Sequence, residues 1–144
     1  MIFITILLSS FHLFSQDKID LEFLEILNQH RKELQLPQLV YDDKISKVMT
    51  EHVHLMAERY RRLGHTDFAS RCTQIQEHFK VDGWCGENVA AGQENAEQVF
   101  WAWYYSRGHR KIMESPWPTH IGIVKEKNEF DRIFWGIFLF QKEE

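Results

Sequence analysis

The chain has 144 residues, 44% of them hydrophobic and 14% aromatic, with 17 basic against 21 acidic residues and a formal charge of −4. This is material for one domain with an ample core, which excludes a disordered chain. No long run of like charge is present, so nothing resembles the basic footprint of a nucleic-acid binder and nucleic acid is not an expected partner.

Residues 1–15, MIFITILLSSFHLFS, carry no charge and are dominated by Ile, Leu and Phe. They read as the apolar core of an export signal, although no Lys or Arg precedes them and Leu13-Phe14-Ser15 lacks a small-x-small cleavage pattern. The stretch is short for the ~20 apolar residues of a spanning helix. The expected organisation is therefore a cleaved signal over 1–15 and one domain over 16–144, secreted or periplasmic, with no membrane span after cleavage.

From Asp17 onward Ile19, Phe23, Ile26 and Leu27 recur at helical spacing, with Arg31 and Lys32 late and Pro37 as terminator. A second helix starts at Asp42-Asp43 and places Ile45, Val48, Met49, His52, Val53, Met56 and Tyr60 on one face. Arg61 and Arg62 are expected in its last turn and Gly64 as a left-handed cap, which delivers His65 just beyond the helix end. Phe68, Cys72, Ile75 and Phe79 predict a third, shorter helix that stops before Asp82-Gly83.

Glycines 83, 86 and 92 predict a loop or short strand through Trp84-Cys85-Gly86-Glu87-Asn88-Val89. Asn95 and Gln98 resemble a capping pair for a helix through Tyr105 that is apolar on nearly every side and should be buried. Trp101, Trp103, Trp117 and Trp135 are expected mainly in the core. Ser106 can cap a further turn, Arg107 to Met113, with His109 near its start. Two strand-like runs, 120–125 and 131–140, flank the polar turn 126–129 as an antiparallel hairpin. Helices first and strands last favour an α+β fold with helices on an antiparallel sheet.

Among eight histidines, His30, His54 and His78 read as solvent-facing, His52 as a satisfied core residue and His120 as a strand opener. His65 and His109 remain as candidates for a cleft. Cys72 and Cys85 are thirteen positions apart, and either form a disulfide in an oxidising compartment, stabilising by roughly 3 kcal/mol, or stay as two reduced core thiols. No local metal motif and no G-x-S-x-G elbow is present, and Ser106 with His109 is better read as a helix cap than as a nucleophile and base.

One ordered set of matches runs along the chain: Leu27-Asn28-x-x-Arg31, Gly64-His65, Gly86-Glu87-Asn88-Val89-Ala90, Trp103-x-x-Ser106-x-Gly108-His109-Arg110 and His120-Ile121-Gly122-Ile123. Together these resemble the CAP superfamily, the SCP-like domain of cysteine-rich secretory, allergen and pathogenesis-related proteins, in its short bacterial form. The resemblance implies an α-β-α sandwich and a central cleft where His65, Glu87 and His109 hold zinc or another divalent metal. Ser106 stands where eukaryotic members carry a second glutamate, so the implied ion is weakly bound, with Ser106 and Asn88 beside it. It further implies a noncatalytic binding module for a lipid, small molecule or protein; the alternative is a metal-assisted hydrolase using the same cleft.

Overall fold

The computed structural model describes residues 9–143, with side chains from residue 21 onward. The expected export segment, 1–15, lies outside the described residues apart from its backbone from residue 9 on. The elements run α1 (Ser9–Glu33), β1 (Val40–Tyr41), α2 (Asp43–Ala57), α3 (Phe68–Phe79), β2 (Cys85–Ala91), α4 (Ala96–Tyr104), α5 (Arg107–Met113), β3 (His120–Lys127) and β4 (Ile133–Phe140). None of the described helices is long and apolar enough to cross a membrane.

The four strands form one sheet in the order β1-β3-β4-β2. β4 pairs antiparallel with both β3 and β2, while the short β1 adds to β3 in parallel, so the sheet is mixed rather than purely antiparallel. Helices cover both faces, which explains why β4 is an almost unbroken apolar run where a half-exposed strand would alternate. Its odd positions, Trp135, Ile137 and Leu139, pack with Phe23 and Leu27 of α1 and Val99 and Trp103 of α4. Its even positions, Phe134, Phe138 and Phe140, pack with Ile45, Met49 and Val53 of α2 and Ile75 of α3. Each such side chain, fully buried, stabilises by roughly 1.5–3 kcal/mol before the entropy of ordering it is counted.

Two glycines set the distance between α2 and the sheet. A Cβ at Gly122 would fall on the backbone nitrogen of Ser46, and one at Gly136 would lie 2.6 Å from Val53 Cγ2. The close approach lets Ser46 Oγ accept a hydrogen bond from the Ile123 amide at 3.0 Å, which satisfies a β3 donor beyond the reach of β1.

The helices over 43–57 and 68–79 and the hairpin follow the sequence pattern, but α2 ends early. Asn128 Nδ2 donates to Ala57 O at 3.2 Å, and Arg59 turns left-handed with φ 64°. Arg61 and Arg62 therefore lie outside the helix, Tyr60 is 78% exposed, and Gly64 is not left-handed. Around α4 the expectation of general burial holds for Val99, Phe100 and Trp103 but not for Trp101 or Tyr105, and Trp117 is also exposed. A short helix on a sheet has one covered face, whatever its composition. His30 is not solvent-facing; it hydrogen-bonds Glu114 Oε1 at 2.8 Å. His52, as expected, is a buried and satisfied core histidine.

Candidate functional site

β2 is an edge strand, and successive residues on it point to opposite faces of the sheet. Cys85 and Val89 join the cluster under α2 and α3, whereas Ala90 joins the cluster under α1 and α4. By the same alternation Glu87 belongs to the α2–α3 side and Asn88 to the α4–α5 side. A cleft of about 1350 Å³ wraps this edge, and its walls include His65, Glu87, Asn88, Ser106 and His109 together with Trp84, Tyr104, Tyr105 and Trp117.

His65 is held by its neighbours rather than by a helix cap. The His52 ring sits in the core, and burial pushes its pKa down, so it is the neutral imidazole. Its Nε2–H donates to Gly64 O at 2.8 Å, and its Nδ1 accepts from Arg61 Nη1 at 3.3 Å. Arg71 Nη1 donates to Thr66 O at 2.7 Å, pinning the other side of the same segment. His65 thus meets Glu87 through Nδ1 and Oε1 at 2.9 Å, with its side chain half exposed.

Glu87 is 5% exposed, and burying a carboxylate without partners would be prohibitive. Arg71 supplies them in a fork: Nε to Oε2 at 2.7 Å and Nη2 to Oε1 at 2.9 Å. Arg71 escaped the sequence reading. Its signal was a charged residue between Phe68 and Ile75 on the inward face of α3, which demands a buried counter-ion. The disulfide joins the adjoining positions, Cys72 beside Arg71 and Cys85 two residues before Glu87, so the two ends of this ion pair are cross-linked together. Among the described residues no cysteine is free.

His109 lies in the first turn of α5. Asn88 Nδ2 donates to its carbonyl at 2.9 Å, and the Trp103 ring lies 6.5 Å away. Trp103 in turn donates Nε1–H to Val89 O at 3.2 Å. Its place in the Trp103-x-x-Ser106 pattern is therefore structural. The His109 imidazole has no hydrogen-bond partner among the described residues, and its pKa is lowered by burial and then by the nearby His65. Asn88 Oδ1 is likewise buried without a partner. Ser106 caps α5 with its carbonyl, accepting from Arg110 N at 2.8 Å, while its hydroxyl makes no capping bond.

The remaining motif residues are scaffold. Asn28 exchanges two hydrogen bonds with the backbone of Leu39, at 2.9 and 2.8 Å. Arg31, fully buried with its pKa lowered by desolvation to about 10, donates to Pro37 O, Met113 O and Ser115 O at 2.8 Å each. It thereby anchors the end of α5, the helix that carries His109.

The described residues hold one His/Glu group whose ligand atoms all lie within 4.8 Å of one another and that could hold a metal: His54, Glu58 and Glu126, away from the cleft. His65, Glu87 and His109 share the cleft at wider spacing, with Glu87 occupied by Arg71 and His65.

Comparison with solved structures gives the same architecture. An outer surface protein of Borrelia burgdorferi superposes with a TM-score of 0.73 at 22% identity, covering 86% of this chain and 93% of the other. An extracellular SCP-domain protein of Bacillus anthracis gives 0.70 at 20% identity over 96% of this chain and 45% of that one. In sequence, the uncharacterised protein YkwD of Bacillus subtilis is 53% identical over 38 residues, 26% of this chain but 15% of its own length. The model of the cysteine-rich secretory protein family, CAP, matches residues 24–140. This match spans most of the chain and the fold agrees with it: the protein belongs to the CAP family.

Proposed function

We propose that the chain is an exported, noncatalytic binding module, with residues 16–144 as its mature domain, and that the edge cleft is its ligand site. The observation that carries this reading is the set of polar groups there without protein partners. Among the described residues Asn88 Oδ1 and the His109 imidazole make no hydrogen bond, and the one hydrogen bond of the His65 ring is at Nδ1. A buried polar atom such as Asn88 Oδ1 is normally satisfied, and with two part-exposed imidazoles open beside it in the same cleft the set fits a ligand that completes it.

The donor set fits a borderline cation such as zinc through the two imidazoles, and fits it weakly. Glu87 is consumed by Arg71, so its contribution is to fix the His65 ring from behind, leaving Nε2 as the outward nitrogen. The carboxylate of Glu114 is also taken, by Arg110 and His30. Among the described residues no free carboxylate stands beside the imidazoles to act as the general base that a metal-assisted hydrolase uses, which favours binding over catalysis. The two open faces of the cleft, polar at the histidines and aromatic at Tyr105 and Trp117, suit an amphipathic partner such as a lipid or a protein surface.

Zinc titration of the full chain by calorimetry tests this, in a His54→Ala background that removes the other His/Glu group. His65→Ala and His109→Ala should each abolish or strongly weaken binding, and Glu87→Gln should weaken it roughly tenfold or more. Unchanged affinity in all three would place the ion elsewhere and defeat the reading of the cleft.

A further inference from the structure

A second pocket, of about 380 Å³, shares no lining residue with the cleft. It lies between the segment that follows α2 and the turn joining β3 to β4. Its walls carry Arg59, Arg61, Arg62 and Arg132 beside Tyr60 and Phe130, and no carboxylate among the described residues. In a chain of net charge −4, four arginines among the residues lining one small hollow are not an average sample of the surface.

Three of the four, Arg59, Arg62 and Arg132, carry no ion pair among the described residues, so their charge is open to a ligand, whereas Arg61 is paired elsewhere. Arg59 stacks on the Phe130 ring at 4.3 Å and Arg132 on the Phe134 ring at 5.5 Å. Stacking engages the face of a guanidinium and leaves its in-plane N–H donors available. Arg61 is committed to Asp67 Oδ2 at 2.7 Å and to His52 Nδ1 at 3.3 Å, and Arg62 has no partner among the described residues. The walls themselves are tied. Asn128 Oδ1 accepts from the amides of Phe130 and Arg132 at 3.0 Å each, and its Nδ2 donates to Ala57 O at the end of α2. Arg59 sustains a left-handed backbone, uncommon for a residue with a Cβ, at the point where the chain turns to line the hollow.

We propose that this pocket binds a phosphate-ester group. Guanidinium forks pair with the several oxygens of a compact dianion better than an ammonium does, and the volume admits a phosphate with a small substituent. The same chemistry is offered by a phosphorylated small molecule and by a phospholipid headgroup. Tyr60, Leu63 and Phe130, 78%, 48% and 58% exposed around the rim, are placed to enter a lipid interface in the second case.

Calorimetry with phenyl phosphate at low salt, and co-sedimentation with phosphatidic acid vesicles against phosphatidylcholine vesicles, test the proposal on the full chain. Arg62→Gln and Arg132→Gln are the diagnostic variants, because Arg61 also supports His52 and would disturb the cleft. Each should weaken phenyl phosphate binding about tenfold, and added salt should weaken it further, with thermal unfolding in the absence of phosphate unchanged. Binding to phosphatidic acid vesicles alone, lost in the same variants, assigns the headgroup as the source. Binding to neither, equal binding in the double variant, or loss of binding in His65→Ala/His109→Ala instead overturns the proposal. The last of these outcomes would put the anion in the cleft, so this test and the zinc titration fail independently.

Discussion

Replacing Arg71 by Leu tests the reading of the Arg71–Glu87 pair most severely. Arg71 is 4% exposed and makes three hydrogen bonds, two to Glu87 and one to Thr66 O. Its removal leaves the Glu87 carboxylate, 5% exposed, with His65 Nδ1 at 2.9 Å and the neutral His52 ring at 3.9 Å. Breaking one partner out of a buried pair costs about 3–5 kcal/mol, since the remaining charge stays desolvated. At this chain length each kcal/mol lowers Tm by roughly 3 °C, so a fall of about 10 °C or more is expected. Urea unfolding followed through the buried Trp103 and Trp135 measures it, with the disulfide intact in every variant. The double variant Arg71→Leu/Glu87→Leu supplies the control. Removing both charges should recover much of the loss, giving a coupling energy of a few kcal/mol. A single-variant loss below about 1 kcal/mol, or a double variant as unstable as the sum of the singles, would refute the claim that the pair stabilises as a unit.

Cys72→Ser/Cys85→Ser opens a loop of thirteen-residue separation and should cost roughly 3 kcal/mol in the same assay. Because the cross-link sits beside the Arg71–Glu87 pair, Arg71→Leu should be still less stable in that background. His52 and His109 are both held below the ordinary histidine pKa, by burial first. The unfolded chain therefore binds protons that the native one excludes, so their contribution is full above about pH 6.5 and falls as pH drops below it. His54 runs the other way. Its bond to Glu126 raises its pKa, so that pair stabilises below about pH 6.5 and is lost as pH rises. Urea midpoints of a His54→Ala variant should thus decrease from pH 7.5 to 5.5, and a rise over that interval would contradict the assignment. Gly122→Ala should destabilise more than Gly136→Ala, because the first collides with the backbone of α2 and the second with movable Val53 and Met49 side chains. Equal costs would mean that α2 can lift from the sheet freely.

The sequence by itself determined the elements whose pattern is local. Ile45, Met49, Val53 and Met56 recur with the helical period, and Phe68 to Phe79 likewise, and helices form over both runs, although the first pattern extended on to Tyr60. The polar turn between two β-rich runs fixed the hairpin, and Asn95 caps α4 through the Gln98 amide as its spacing implies. The ordered motifs marked the family and the residues that line one cleft. Tertiary structure decided what each of those residues does. Where α2 stops depends on Asn128, seventy-one positions away, taking the carbonyl of Ala57. The pairing of β1 with β3 needs a strand too short to announce itself. Whether Trp103 or Trp101 is buried depends on which side of α4 meets the sheet, not on composition. Glu87 shows the difference most clearly. Its match to the family's Gly-Glu-Asn motif marked it as a candidate ligand, but its available charge is set by Arg71, on another element, and no spacing rule links the two. Charge in a protein interior is a property of pairs, and pairs are made only when the chain has folded.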